Sequence, residues 1–416
     1  MDTVDVLVVG SGHAGAQVAI ALRKEGFEGS IALVSEEMEL PYERPPLSKD
    51  YLAGDKSFDR LLIRQPAFWH DQRISLLPGR RISTVHPSEH RVEDEDGRSL
   101  SYRWLIWAAG GKPRRLRCPG HDLQGIHVVR TRADIDAIRS ELPSVSEVVV
   151  IGGGYIGLET AAVLRKLGKE VVLLEAQDRV LARVAGPMLS RFYQNEHRAH
   201  GVDVRTSVQL ESIVGDRGRA TGVRLASGEL IAAQMVIVGI GIVPSVAPLI
   251  ASGARGDNGV LVDAQCRTSL PDVFAIGDCA QHVNRYAAGA AVRLESVQNA
   301  NDQASVVAKT IVGKQAFYDV VPWFWSDQYD LKLQTIGLSA GHDTEVLRGD
   351  PGTRSFSIVY LRNGRVIALD CINSPADFVQ GRKLVADHVA VDPAKLADTS
   401  TPLKSLCPQL AGTISG

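Results

Sequence analysis

The chain has 416 residues, a formal net charge of −2, 44% hydrophobic residues and 23% charged residues. That length holds two or three domains with ample buried cores, and the composition is that of an ordinary soluble globular protein. The near-neutral charge excludes a global attraction to nucleic acid or anionic membrane, and no apolar run approaches the ~20 residues of a membrane span.

The first element is the most informative. Val4–Gly15 reads VDVLVVGSGHAG, an apolar run that stops at Gly10-x-Gly12-x-x-Gly15 and passes at once into an Ala-rich amphipathic stretch. This predicts a buried strand, a tight turn and a helix start, the opening of a dinucleotide-binding βαβ unit. Gly10 makes the turn, Gly12 lets the backbone approach a pyrophosphate, and Gly15 lets the helix pack on the strand. The pyrophosphate then meets the unpaired N–H groups at the helix start. The next strand, Ser30–Val34, ends at Ser35-Glu36-Glu37, where an acidic residue meets a ribose hydroxyl. The strand begins so close to residue 1 that no leader peptide is expected.

Next comes PYERPPLSK (41–49), whose prolines hold the backbone extended before Pro46 opens a short helix. It places Arg44 and Lys49 near the first nucleotide. Gly79–Leu100 reads as a small β-meander, and Tyr102–Gly111 as a buried strand ending in small residues. A linker rich in Pro, Gly and Arg runs from Lys112 to about Gly125.

A second complete fingerprint follows in Glu147–Gly157, EVVVIGGGYIG, with Gly152-x-Gly154-x-x-Gly157. A helix carrying Glu159 comes after it, then the strand Glu170–Leu174, which ends at Glu175. Two fingerprints imply two dinucleotides. A carboxylate at Glu175 favours a free ribose 2′-hydroxyl, hence NADH over NADPH, although Arg179 and Arg183 nearby are of the type that binds a 2′-phosphate. Gln234–Gly241 is the exit strand. The strand Val273–Ile276 runs into Gly277-Asp278, where Asp278 is placed either to meet a ribityl hydroxyl or to cap a helix. Glu295–Ile311 reads as a helix. From Pro322 the pattern changes to aromatic residues (Trp323, Phe324, Trp325) and hairpin strands, with Asn363-Gly364 a type I′ turn signal and Pro375–His388 a helix.

The five cysteines (Cys118, Cys266, Cys279, Cys371, Cys407) form neither a CxxC nor a metal spacing. No metal centre is expected, and the thiols read as reduced in a cytoplasmic setting. The expected class is α/β: two Rossmann-like domains and a C-terminal α+β domain. The expected boundaries are 1–114 with 245–321 for the first nucleotide, 115–244 for the second and 322–416 for the last domain.

Taken together, GSGHAG, PYERPPLSK, VVVIGGGYIGLE, GIGIVP, TSLPDVFAIGDCA, ESVQNA and PWFWSDQY resemble the FAD-containing ferredoxin reductases of bacterial oxygenase systems, the putidaredoxin reductase type. The chain is similar, more distantly, to apoptosis-inducing factor. The resemblance implies a glutathione-reductase-like flavoprotein that takes electrons from NADH through FAD to a [2Fe-2S] ferredoxin serving a cytochrome P450 or another oxygenase. It assigns Gly10, Ala14, Gly15, Glu36, Arg44, Lys49, Ile82, Arg130, Asp278 and Val297 to FAD, to which the fingerprint reading adds Gly12 and the aromatic cluster adds Trp325. The NADH side takes Gly152, Gly154, Tyr155, Ile156, Gly157, Glu175, Arg183 and Gly241. Lys49 and Glu159 are implied as tuning residues beside the flavin rather than an acid/base pair. Two positions depart from the family pattern: Ala109 stands where threonine is usual and Ser245 where asparagine is common.

A ferredoxin partner is acidic, so a basic docking face is expected, with Arg285, Arg293, Arg382 and Lys383 as candidates on a monomer. Three alternatives remain. A disulfide reductase would need a redox cysteine in 36–61, where none occurs. Monodehydroascorbate-reductase-like activity would use the same one-electron chemistry. A redox-responsive binding protein would need a broad basic surface.

Overall fold

A computed structural model describes residues 3–407, so 408–416, the end of the expected last domain, lie outside the described residues. The chain forms two compact units. Unit 1 combines the residues up to Arg114 with Ile242–Val320, and unit 2 combines Arg115–Gly241 with the residues from Val321 onward.

In chain order, unit 1 opens with β1 (Thr3–Val9), α1 (His13–Lys24), β2 (Ile31–Val34), β3 (Ile74–Leu77), β4 (Ile82–His86), β5 (Arg91–Asp94) and β6 (Ser99–Trp107). Unit 2 follows with β7 (Ile126–Val128), β8 (Glu147–Ile151), α2 (Tyr155–Lys166), β9 (Glu170–Leu174), α3 (Pro187–Ala199), β10 (Val202–Arg205) and β11 (Met235–Val238). The chain returns to unit 1 for β12 (Val273–Ala275) and α4 (Val297–Ile311). It ends in unit 2 with β13 (Trp323–Gln328), β14 (Leu331–Gly337), β15 (Thr344–Asp350), β16 (Ser355–Arg362), β17 (Arg365–Ile372) and α5 (Pro375–Ala386).

The unit 1 sheet runs β3-β2-β1-β6-β5-β4, with β12 added to β6. Its β3-β2-β1-β6 core and the β6–β12 pair are parallel, while β4 and β5 form the expected antiparallel meander. Strand alternation divides β1 between two cores. Val6 and Val8 pack with α1 and with Ala300, Ala304 and Val307 of α4, whereas Leu7 and Val9 join Leu105, Trp107 and Val273 on the other face. A strand buried on both faces reads as a continuous apolar run, which is why β1 is so legible.

Unit 2 contains a five-stranded parallel sheet, β10-β9-β8-β11-β7, and a five-stranded antiparallel sheet, β13-β14-β17-β16-β15, against which α5 packs. The turn between β16 and β17 has positive φ at both Asn363 (51°) and Gly364 (70°), as a type I′ turn requires. Contacts between α3 and the antiparallel sheet are close. Phe192 meets Phe356 edge to face at 4.8 Å, and His197 hydrogen-bonds Gln328 at 2.9 Å.

Candidate functional site

The first cradle lies where β1 turns into α1. Gly10 holds φ 106°, and a Cβ there would overlap the Ala108 carbonyl at the end of β6. Gly12 caps α1 with no side-chain hydrogen bond, and the first turn carries no acidic residue. The helix therefore presents the positive end of its dipole uncovered by any cap side chain. Arg44 lies beside this start, its Nε 3.7 Å from where a Gly12 Cβ would stand. Burial works against the Arg44 charge, but Tyr42, Glu37 and Asp278 together raise its pKa above the ordinary arginine value.

Glu37 is held by the Tyr42 hydroxyl (2.6 Å) and by Arg44. Glu36, the expected ribose ligand, is exposed and lies near Lys112 (3.2 Å) and Arg81 (3.9 Å). Gly277 (φ 75°) lies against Ala14 and donates its N–H to Gln303 of α4 (2.7 Å), which brings Asp278 onto the same cradle. Lys49 is half-buried, with its Nζ donating to the Pro45 carbonyl (3.2 Å). Ile82 is buried at the start of β4, and Val297 is the first residue of α4, behind the Ser296 cap. Ala109 and Ser245 also lie in unit 1, where the buried Trp107 indole donates to the Ser245 carbonyl (2.7 Å).

The second cradle repeats this construction. Gly152 holds φ 111° against the Gly239 carbonyl, a Cβ on Gly157 would overlap the Gly152 carbonyl, and a Cβ on Gly154 would meet nothing within 4 Å. Gly154 caps α2 with no side-chain hydrogen bond. Glu175 is fixed at the end of β9 by the N–H groups of Gly153 (2.6 Å) and Gln177 (2.8 Å). The two arginines beside it separate clearly. Arg179 donates to the carbonyls of Ala182 (3.2 Å) and Ala185 (3.1 Å) and to the Ser190 hydroxyl (3.2 Å), so it is committed to its own loop, whereas Arg183 is exposed. Ile156 is 42% exposed, and Gly241 (φ 94°) closes the loop after β11.

Tyr155 starts α2 with its ring against Phe324 (4.5 Å) and its hydroxyl bonded to Thr335. Thr335 and Tyr360 each donate to the buried carboxyl of Asp370 at 2.6 Å. Burial raises the Asp370 pKa to about 6, partly opposed by those two hydroxyls. Arg130 follows β7, and Trp325 is half-buried against Trp323 (5.6 Å). Glu159 is buried on α2 and accepts from Ser326 at 2.6 Å.

Sequence reasoning missed Ser326, Gln328, Thr335 and Asp370. The available signal was period two: Ser326 and Gln328 are polar at alternate positions of β13 and share its buried face.

Among the docking candidates, Arg285 is exposed and paired with Asp319 (2.8 Å), Lys383 is exposed and paired with Asp387 (2.6 Å), and Arg382 is exposed on α5. Arg293 must be corrected. Its side chain is 8% exposed, and its guanidinium donates to the Asp278 carbonyl (2.8 Å), the Asn258 carbonyl (3.1 Å) and Glu295 (2.7 Å). It is an internal brace behind Asp278, unavailable to a partner. Among the described residues no group of His, Cys, Asp and Glu could hold a metal ion, and no helix is long and apolar enough to cross a membrane.

Comparison with known proteins agrees with this geometry. Residues 4–304 match the pyridine nucleotide-disulphide oxidoreductase family, and 323–407 match the reductase C-terminal family. The 5,5'-dehydrodivanillate O-demethylase ferredoxin reductase subunit of Sphingobium sp. (strain NBRC 103272 / SYK-6) is 60% identical over 97% of this chain and 98% of its own. A crystal structure of the covalent putidaredoxin reductase–putidaredoxin complex superimposes with TM-score 0.93 at 39% identity, covering 97% of this chain and 98% of the other. The ferredoxin reductase for the CYP199A2 system of Rhodopseudomonas palustris gives TM-score 0.93 at 40% identity, covering 97% and 99%.

Two cradles of this build define a flavin- and nicotinamide-dependent oxidoreductase. Within that class, the chain belongs to the ferredoxin reductases of the putidaredoxin reductase type. It is an NADH-dependent flavoprotein that uses FAD.

Proposed function

We propose that this chain carries electrons from NADH, through FAD in the first cradle, to an acidic [2Fe-2S] ferredoxin that serves a bacterial oxygenase. The observation that carries the reading is the repetition of one construction. Each cradle has a helix start whose cap is a glycine that contributes no side-chain hydrogen bond, approached by a glycine turn, which suits a pyrophosphate. A Cβ at Gly154 would meet nothing within 4 Å and one at Gly12 only the Arg44 side chain at 3.7 Å, so neither glycine obstructs such groups.

The first nucleotide is assigned to 1–114 and 245–321, the second to 115–244, and the remaining segment, 322–416, to the C-terminal domain. When bound, FAD would supply the hydride-accepting and one-electron-donating chemistry, which the protein orients and tunes. Gly10, Gly12, Ala14 and Gly15 hold the FAD pyrophosphate, with Arg44 neutralising its charge. Glu36 and Ile82 take the adenosine end, Asp278 the ribityl chain, and Val297, Arg130 and Trp325 the remainder. Gly152, Gly154, Tyr155, Ile156, Gly157, Arg183 and Gly241 hold NADH, whose ribose hydroxyls meet Glu175. Lys49 and Glu159 tune the flavin. Arg285, Arg382 and Lys383 attract the ferredoxin, and the protein works as a cytoplasmic monomer.

The test is an anaerobic titration of the purified holoprotein with NADH, with NADPH as control and a [2Fe-2S] ferredoxin as acceptor. The expected result is bleaching of a flavin spectrum by NADH, much more slowly by NADPH, and recovery of colour on adding ferredoxin. A protein without flavin colour, or one whose reduced form does not pass electrons to any [2Fe-2S] ferredoxin, overturns the reading.

A further inference from the structure

Unit 2 contains a line of buried polar side chains that neither cradle uses. Glu159, Ser326, Gln328 and His197 are 2%, 0%, 1% and 0% exposed, and they come from α2, β13 and α3. Ser326 Oγ lies 2.6 Å from Glu159 Oε1, Gln328 Nε2 3.3 Å from Ser326 Oγ, and His197 Nε2 2.9 Å from Gln328 Oε1. The Tyr329 hydroxyl lies 2.9 Å from His197 Nδ1. The line reaches solvent there, since the half-buried Tyr329 ring stacks on the exposed His200 at 3.7 Å.

The hydrogen-bond directions follow from one end to the other. The Glu159 carboxylate oxygen accepts, so Ser326 donates to it and in turn accepts from the Gln328 amide. That leaves the Gln328 carbonyl facing His197, whose Nε2 must carry its proton. Burial lowers the His197 pKa to about 4, so the ring is neutral, its Nδ1 accepts, and Tyr329 donates. Every donor points the same way, toward Glu159, and aligned hydrogen bonds of this kind polarise one another in a low-dielectric interior.

We propose that Ser326, Gln328, His197 and Tyr329 are positioning residues for Glu159, forming a one-way donor chain that orients its carboxylate and through it tunes the flavin. The second clause rests on the reading of Glu159 as a flavin-tuning residue. Two further observations favour a functional line over incidental packing. Buried polar groups are destabilising relative to an apolar core unless every partner is supplied, and here each link is made. Tyr329 also holds a left-handed backbone (φ 57°) in the two-residue turn between β13 and β14, a conformation unfavourable for a bulky residue. A side-chain amide relays no proton readily, so the chain transmits polarisation and not a proton.

The experiment is to measure the FAD midpoint potential of the holoenzyme in Glu159→Gln, Ser326→Ala, Ser326→Thr, Gln328→Met and Tyr329→Phe. Glu159→Gln removes a negative charge and raises the potential. Ser326→Ala, Gln328→Met and Tyr329→Phe shift it in the same direction by progressively less, Ser326→Thr restores it, and Ser326→Ala adds nothing in the Glu159→Gln background. Tyr329→Phe lies at the half-exposed end, so its result does not depend on the buried positions tolerating change. If Glu159→Gln shifts the potential while Ser326→Ala and Tyr329→Phe leave it at the wild-type value, the chain is structural and the proposal falls. If Glu159→Gln itself shifts nothing, the reading of Glu159 fails and takes the proposal with it.

Discussion

Glu175 is anchored through two backbone N–H groups, so its position does not depend on side-chain packing that a cofactor could displace. Charge-assisted hydrogen bonds to a ribose contribute on the order of 2 kcal/mol. Glu175→Ala is therefore expected to raise KM for NADH by at least about tenfold and to narrow the gap to NADPH, measured by steady-state ferredoxin reduction with each donor. Arg179 and Arg183 look equivalent by spacing, and nothing local in the sequence distinguishes them. Their difference arises because the loop before α3 folds the carbonyls of Ala182 and Ala185 onto Arg179.

Asp370 gives a stability prediction whose sign follows from its environment. Its folded pKa, raised by burial to about 6 from 3.8, means that the folded state holds a proton the unfolded state releases. The associated stability is complete below pH 3.8 and is lost as pH rises through about 6, a change on the order of 3 kcal/mol. Asp370→Asn should remove that component, so the difference in thermal midpoint between variant and wild type grows in the variant's favour from pH 5 to pH 7.5. A constant difference across that range would rule out Asp370 as the source.

At the scale of elements, α5 carries Arg382 and Lys383 on an exposed surface while Leu384 and Val385 are buried. Arg382→Glu should raise KM for ferredoxin severalfold at low salt, with the difference closing as ionic strength rises, and should leave NADH-dependent flavin reduction unchanged. Equal kinetics at low salt would remove α5 from the docking surface. The elements themselves were the most legible part of the molecule. β1 and β8 are apolar runs ended by glycine turns, and Asn363-Gly364 specified its hairpin by local chemistry alone. The supports of the site were less legible because they join segments far apart in sequence. Arg293 looked like a surface charge, yet the carbonyls of Asn258 and Asp278 enclose it. Ser326 and Gln328 were hidden beside the tryptophans of β13, which drew attention as core although the two polar residues are the more buried.

At the scale of the whole molecule, the cysteines are all free, three of them buried. Burial raises the pKa of the Cys279 thiol to about 12 and holds Cys266 and Cys371 higher still. A thiol-specific reagent should therefore modify Cys118 and Cys407 in the native holoprotein, reaching all five cysteines only after denaturation. Reductant should leave the thermal midpoint unchanged. Rapid native modification of Cys279 would contradict the packed core around Trp107.

The discontinuity of unit 1 also bears on how the protein is made. β12 pairs with the C-terminal half of β6, and α4 packs on α1, yet the ribosome delivers both only after the whole of 115–241 has emerged. At translation rates of about 5–20 residues per second, that wait lasts on the order of ten seconds or more. Throughout it the nascent β6 edge is unpaired, open to the wrong strand, and the first cradle lacks Gly277 and Asp278. A message that stops short of β12 yields a polypeptide with two complete glycine fingerprints that cannot close its first cradle, so flavin loading is tied to completion of synthesis.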